Sequence, residues 1–357
     1  NNLVDELLSY YWQLGKMNSV HEMEKYSYRH RICQLLNRFC ARKNKFQDSV
    51  INNKIISLTK DNQVFPKFSS SLLHDITTIL DESLQKIRIC IEQQELMAAQ
   101  SNDLEMLLLG FANRPEQDIN IQQHKQMIKV SIRYLSSFSE TLYILTKLNS
   151  EAFLSDEMME KLAHSLNYCV FELLTKRTTH VSISRMRNLR FDPAELLKFI
   201  CLIISNYKDN EKMLKTIIRD ERSYDLKLYQ EAILLLMHEN RITDDELYHL
   251  QVVVEKWKLY AKEKEIEDVF MNQIGDIPEE FLDPIMNSVM KDPVLLPTSG
   301  VVIDRTTILK HLLVDSNDPF NRKPLTQEML QPQELLKEQI KAFFDEKLKV
   351  FQSKATA

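Results

Sequence analysis

The sequence predicts a mostly α protein: an irregular stack or solenoid of helices, followed by a small α+β module. Three observations carry this. Only Pro66, Pro115 and Pro193 precede residue 276, whereas seven prolines crowd the last 82 residues, and the first 275 residues hold just three glycines. Proline removes a helix donor and glycine costs helix entropy, so their scarcity over so long a stretch marks helices throughout. Apolar residues also recur at helical spacing, as in Leu247, Leu250, Val254, Trp257 and Ala261. After residue 276 proline-punctuated loops surround a run of strand character, Val294-Leu295-Leu296.

Taken in order, helices are expected around 3–15, 18–42, 70–99, 119–148 and 156–176. The next carries its own start signal in Asp192-Pro193-Ala194-Glu195: Asp caps, Pro takes the first helical position and Glu reaches back. Thr243-Asp244-Asp245-Glu246 supplies a capping box for the helix that holds Trp257. No strict repeat period is visible, and many antiparallel helices with short links fit a stack better than a single bundle. Residues 178–191 show no helical face and carry Arg185, Arg187 and Arg190, which reads as a solvated loop or, more sharply, as a docking strip for an acidic partner.

Composition sets limits on function. A net charge of −5 against 97 charged residues gives no bias toward nucleic acid or anionic membranes. The longest candidate apolar run, 199–204, is far short of the roughly 18 residues a membrane span needs. Cys33, Cys40, Cys90, Cys169 and Cys201 are scattered and odd in number, which fits reduced, buried thiols of a cytosolic or nuclear protein rather than a disulfide framework or a zinc cluster. The chain starts at Asn1 with neither an initiator Met nor a signal peptide, so a fragment of a longer protein is expected.

The terminal module spans 276–351, with a short tail over 352–357, and the helical part spans 1–275. A loop over 279–290 precedes a hairpin in which Val294–Leu296 turns through Pro297-Thr298-Ser299-Gly300 into Val301–Ile303. Asp304 caps a short helix through Leu313, a second loop starts at Asp315, and a final helix runs from about Gln333. Its inner face holds Leu336, Ile340, Phe343 or Phe344, Leu348 and Phe351. A core this small is marginal. Zinc cannot hold the two loops, because 276–357 contains no cysteine and His311 as its one histidine, and a structural site needs four such ligands. The loops must be held by hydrogen bonds and ion pairs among Glu280, Asp283, Asp292, Arg305 and Asp318.

The stretch IPEEFLDPIMNSVMKDPVLLPTSGVVIDRTTILKHLL, then DPFNRKPLT and LKEQIKAF, resembles a U-box, the zinc-free counterpart of the RING finger, over essentially the whole module. EKLAHSLNYCVFELL (160–174), FDPAELLKFICLI (191–203) and RDERSYDLKLYQEAILLL (219–236) resemble the armadillo-like helical core of ubiquitin conjugation factors of the E4 class. That likeness is clearest over 155–260 and faint before 120. It departs at DERSY, where a glycine is expected after the aspartate.

The resemblance implies a ligase that forms no covalent intermediate and needs no cofactor. It extends ubiquitin chains on already modified proteins by positioning a ubiquitin-charged conjugating enzyme. On this likeness Ile285, Leu312, Pro319 and Phe320 form the docking surface, although Ile285 and Leu312 also read as core. Asp318 shapes the second loop, and Arg322 bridges the conjugating enzyme and its linked ubiquitin, for which a planar guanidinium fork is suited. A monomer in cytoplasm and nucleus, with a hexameric AAA ATPase as partner, is implied in the same way. A non-catalytic helical scaffold with a docking U-box is the main rival. A nucleic-acid factor using 176–190 is a weaker one, since no aromatic residues interleave with those arginines.

Overall fold

The computed structural model describes residues 3–41, 47–59, 63–101, 114–175, 183–220, 222–273, 277–312 and 315–355. Two compact units make up the chain, Asn1–Ala261 and Lys262–Ala357. Their division falls inside a helix, earlier than the proline and glycine signals near 275.

Among the described residues the first unit is built from α1 (Leu3–Leu14), α2 (Glu22–Ala41), α3 (Gln47–Thr59), α4 (Phe65–Ser101), α5 (Arg114–Leu148), α6 (Asp156–Leu174), α7 (Ile183–Asn188), α8 (Pro193–Ser205), α9 (Glu211–Arg219), α10 (Leu226–His238) and most of α11 (Asp244–Gln273). The long α5 packs against α2, α4 and α8, and α6 packs against α4, α8, α9 and α10, so each helix shares faces with several neighbours. One continuous apolar core results, from Val4 to Trp257. Trp257 anchors its end: it is 1% exposed, donates from Nε1 to the Leu214 carbonyl at 3.2 Å and lies 4.9 Å from the Tyr229 ring.

The start signals behave as the chemistry dictates, with instructive exceptions. The capping box is reciprocal: Thr243 N donates to Glu246 Oε2 at 2.8 Å and Glu246 N to Thr243 Oγ1 at 3.3 Å. Asp192 Oδ1 accepts from Ala194 N, but Glu195 does not reach back to complete a box; it accepts from Ser136 Oγ at 2.6 Å. All three prolines of this unit sit in first turns, where their missing donors cost nothing. Hence α4 and α5 start at Phe65 and Arg114 rather than near 70 and 119.

The expected loop 178–191 is corrected in part. Residues 183–188 form α7, with Met186, Leu189 and Phe191 buried, and 176–182 lie outside the described residues. Arg187 is consumed internally, donating to Asp192 Oδ1 and to Glu239 Oε1. Ala261 is exposed, and the apolar stripe of α11 ends instead with Trp257 and the half-buried Tyr260.

Cys33, Cys90, Cys169 and Cys201 are buried, and none of the five cysteines forms a disulfide. Burial pushes the thiols of Cys33, Cys169 and Cys201 up to about 12, leaving them inert. Among the described residues no helix is long and apolar enough to cross a membrane.

The second unit contains β1 (Pro293–Leu295), β2 (Val302–Asp304), α12 (Arg305–Leu312), β3 (Gln331–Pro332) and α13 (Glu334–Ala355). The sheet order is β2-β1-β3, antiparallel, with Val294 opposite Ile303 and Pro332. Gly300 closes the hairpin at φ +75°, a left-handed position glycine adopts freely, and its N–H donates to the Leu296 carbonyl at 2.8 Å. One face of the sheet packs Val294, Leu296 and Ile303 on Ile308, Leu325 and Leu330. A second cluster joins Phe281 and Met290 to Ile340 of α13, with Phe343 5.6 Å from Phe281. Leu336 and Phe344 support it, while the Leu348 and Phe351 side chains lie outside those described.

Candidate functional site

The two loops of the second unit are the same turn made twice, in Asp283-Pro-Ile-Met-Asn-Ser288 and Asp318-Pro-Phe-Asn-Arg-Lys323. Asp283 Oδ1 accepts from the N–H of Ile285 and Met286, both at 2.9 Å, and Asp318 Oδ1 accepts from Phe320 N at 2.8 Å. Asn287 N donates to the Asp283 carbonyl and Arg322 N to the Asp318 carbonyl, both at 2.8 Å. Each donor residue is left-handed, with φ of 52° and 59°. Asp283 N then donates to the Ser288 carbonyl and Asp318 N to the Lys323 carbonyl. The short aspartate side chain satisfies the turn's donors, and the proline holds the chain in place.

Each aspartate spends its other oxygen on the hairpin. Asp283 Oδ2 accepts from Asp304 N at 2.9 Å, and Asp318 Oδ2 accepts from Thr298 Oγ1. Asp304 is the hub between the first loop and α12. Its Oδ2 accepts from Lys291 N and Asp292 N, and its Oδ1 accepts from the backbone and hydroxyl of Thr306, which caps the helix. Asp292 pairs with Arg305 at 2.6 Å and with Lys337 of α13 at 2.8 Å. Glu280, expected among these groups, is exposed and takes no part. Asn321 adds a further tie, donating to the Thr298 carbonyl at 2.6 Å.

Helix α12 separates the loops. Its N-terminal end holds the first through Asp304, and its C-terminal end holds the second, where His311 Nε2 lies 2.9 Å from the Asn317 carbonyl. Seven residues of helical rise place these anchors about 10 Å apart. Between them the loops present apolar side chains to solvent: Ile285 is 48% exposed, Met286 64% and Phe320 41%. Pro319 is half-buried. Leu312 is also half-buried and packs on the core cluster around Ile308, so part of its surface is structural. Arg322 is exposed, and its guanidinium meets no partner among the described residues. Met286 was not foreseen; the signal was its place beside Ile285, one N–H further along the same aspartate.

The carboxylates are held ionised. For Asp283 burial alone would raise the pKa, but the N–H groups of Met286, Asp304 and Ile285 outweigh it and hold it below the usual carboxylate range. The same contest is won by Thr306, Asp292 and Lys291 at Asp304, and by Thr298 and Phe320 at Asp318. A depressed folded-state pKa contributes stability that is present above the unfolded value, about 3.9, and is lost as pH falls through the folded one. Acidification from pH 5 to pH 3 is therefore expected to open this unit. Pepsin digestion mapped by peptide should show cleavage within 277–349 rising steeply below about pH 4.

A mostly helical unit followed by a zinc-free, RING-like α+β unit with two loops braced on a short helix defines a U-box protein. Residues 277–349 match the U-box domain, and residues 1–258 match the family described as ubiquitin elongating factor core. The chain belongs to that family. It is 27% identical over 354 residues to the ubiquitin conjugation factor E4 of Schizosaccharomyces pombe, covering 97% of this chain and 33% of that protein. It is 30% identical over 363 residues to the E4 ubiquitin-protein ligase UFD2 of Saccharomyces cerevisiae, covering 99% and 36%. With the ubiquitin conjugation factor E4 A of Bos taurus it shares 30% identity over 285 residues, covering 80% and 26%. The chain thus spans about a third of the length of the first two relatives.

Proposed function

We propose that this chain is a U-box ubiquitin ligase that extends ubiquitin chains. It binds a ubiquitin-charged conjugating enzyme and promotes transfer from that enzyme's thioester to a lysine of a ubiquitinated protein. The observation that carries this is the pair of identical turns holding Ile285 and Phe320 in solvent at either end of α12, in a unit with no thiol of its own. Exposed apolar side chains fixed by buried aspartates are preorganised for docking, which lowers the ordering cost of association.

No acyl intermediate forms on this chain. The thioester carbon is attacked by the acceptor lysine amine while both stay on their carriers, and the leaving thiolate is the conjugating enzyme's cysteine. Pro319 and Leu312 complete the docking surface beside Ile285 and Phe320, and Asp318 keeps Phe320 and Arg322 in place. Arg322 spans the two linked proteins with its planar fork, narrowing the thioester's motions to those open to attack. So small a surface makes a weak, exchangeable complex, below about 1,200 Å² of total burial, which suits a carrier that leaves to be recharged.

The helical unit sets the distance between bound substrate and U-box. A monomer acting in cytoplasm and nucleus, and receiving modified proteins from a hexameric AAA ATPase, completes this reading. The test is discharge of ubiquitin from a charged conjugating enzyme to free lysine. Acceleration by this chain supports the ligase, and an intrinsic rate across a broad panel of conjugating enzymes leaves a docking scaffold instead.

A further inference from the structure

Between α2, α5 and the first turn of α8 lies a cavity of about 430 Å³, within the size range of ligand pockets. Its floor is polar by construction. Asn37, 6% exposed, donates from Nδ2 to the Ser137 carbonyl at 3.1 Å and to Glu140 Oε2 at 2.8 Å. Its Oδ1 accepts from Thr141 Oγ1 at 2.7 Å. A buried amide is not needed to pack two helices, and here it fixes a carboxylate on the cavity wall. Glu195 is fixed likewise by Ser136 Oγ at 2.6 Å.

The remaining groups are left unmet. Ser137, 7% exposed, lines the cavity with a buried Oγ that has no partner, and so does His30 with Nδ1. A buried polar atom without a partner is costly to the fold, and a ligand atom would offset that cost. Arg38 and Arg133 flank the same cavity, are exposed, and meet no hydrogen-bond or ion-pair partner among the described residues. The unmet cations and hydroxyl need acceptors, while Glu140 and Glu195 favour donors. A bare phosphate, all acceptor, would be repelled by those two carboxylates. An extended peptide supplies both kinds of group, since its N–H groups donate and its aspartate or glutamate side chains suit the guanidiniums.

We propose that this cavity binds an acidic, extended peptide segment of a partner protein, with Arg38 and Arg133 taking its carboxylates and Ser137 and Glu140, the latter fixed by Asn37, taking its main chain. The site is built from residues of the helical unit and does not rest on the ligase reading.

The test is fluorescence anisotropy of a labelled eight-residue peptide of alternating Asp and Ser, titrated with the full chain. Saturable binding is expected, reduced at least tenfold by Arg38→Ala with Arg133→Ala and absent for the Asn-Ser counterpart. Both arginines are exposed, so the variant should keep the wild-type melting temperature, and hydrogen exchange should slow on α2 and α5 with the acidic probe alone. Equal affinity of variant and wild type overturns the proposal, as does no binding at 1 mM probe. Displacement by equimolar free acetate or phosphate makes it a small-anion site and overturns the peptide assignment. Ubiquitin discharge by the arginine variant is expected to match wild type whatever the peptide result.

Discussion

Asp304→Ala is expected to unfold the U-box while the helical unit keeps its structure. The carboxylate accepts from Lys291 N, Asp292 N and Thr306 N and from the Thr306 hydroxyl. Its own N–H meets Asp283 Oδ2, so the residue ties the first loop to the hairpin and to α12. Alanine leaves those donors without an acceptor in a region where the residue is 6% exposed. Each stranded buried donor costs about 1–3 kcal/mol, and a unit with so small a core has little in reserve. Hydrogen exchange read by mass spectrometry should show protection lost across 277–349 and kept in α4, α5 and α8. Protection retained over the U-box would show that the apolar clusters alone hold it.

Ile285→Ala and Phe320→Ala are expected to abolish docking without unfolding. Both residues are exposed, though each is more than half covered, and the turns beneath them are built from backbone and aspartate oxygens that truncation does not touch. An apolar anchor at the centre of a small interface typically carries 2 kcal/mol or more, about thirtyfold in affinity. Binding of a conjugating enzyme, followed by calorimetry or surface resonance, should fall by at least that factor in each variant, with melting temperature unchanged. Equal loss of binding and of folded structure would assign these residues to the core instead. Met286→Ala, beside Ile285 but further exposed, should weaken binding by less.

Which features were legible in the sequence depended on the reach of the interactions that decide them. The capping box at Thr243 and the cap at Asp304 are read within four residues and stand as expected. The hairpin is local too, set by Gly300 and the strand-type run before it. Helices α4 and α5 began earlier than periodicity indicated, because Pro66 and Pro115 look like breaks unless they are placed in first turns. Glu195 failed to close its box because Ser136, distant in sequence, competes for it. Strand β3, two residues ending in a proline, has no sequence signal of its own and forms only because β1 offers an edge.

In the candidate site, the exposed Ile285 and Phe320 and the loop-shaping Asp318 stood out as parts of the DPI and DPFNR landmarks. The equivalence of the two turns did not, since Asn287 and Arg322 share a left-handed backbone but no chemistry. The position of Arg322 is thus a backbone fact before it is a charge fact. Its N–H closes the turn on Asp318, and its side chain meets no partner among the described residues.

The measurement that tests the central claim most directly compares wild type with Arg322→Ala in two assays on the same preparations. One reads affinity for the conjugating enzyme, and the other reads the single-turnover rate of ubiquitin discharge to free lysine. Affinity should change by less than about twofold while acceleration falls by at least tenfold, about 1.4 kcal/mol in the barrier, if, as proposed, the guanidinium restrains the linked ubiquitin more than it contributes to docking. Acceleration by Arg322→Ala equal to wild type would contradict the bridging role, and a parallel loss of affinity and rate would place Arg322 in the docking surface instead.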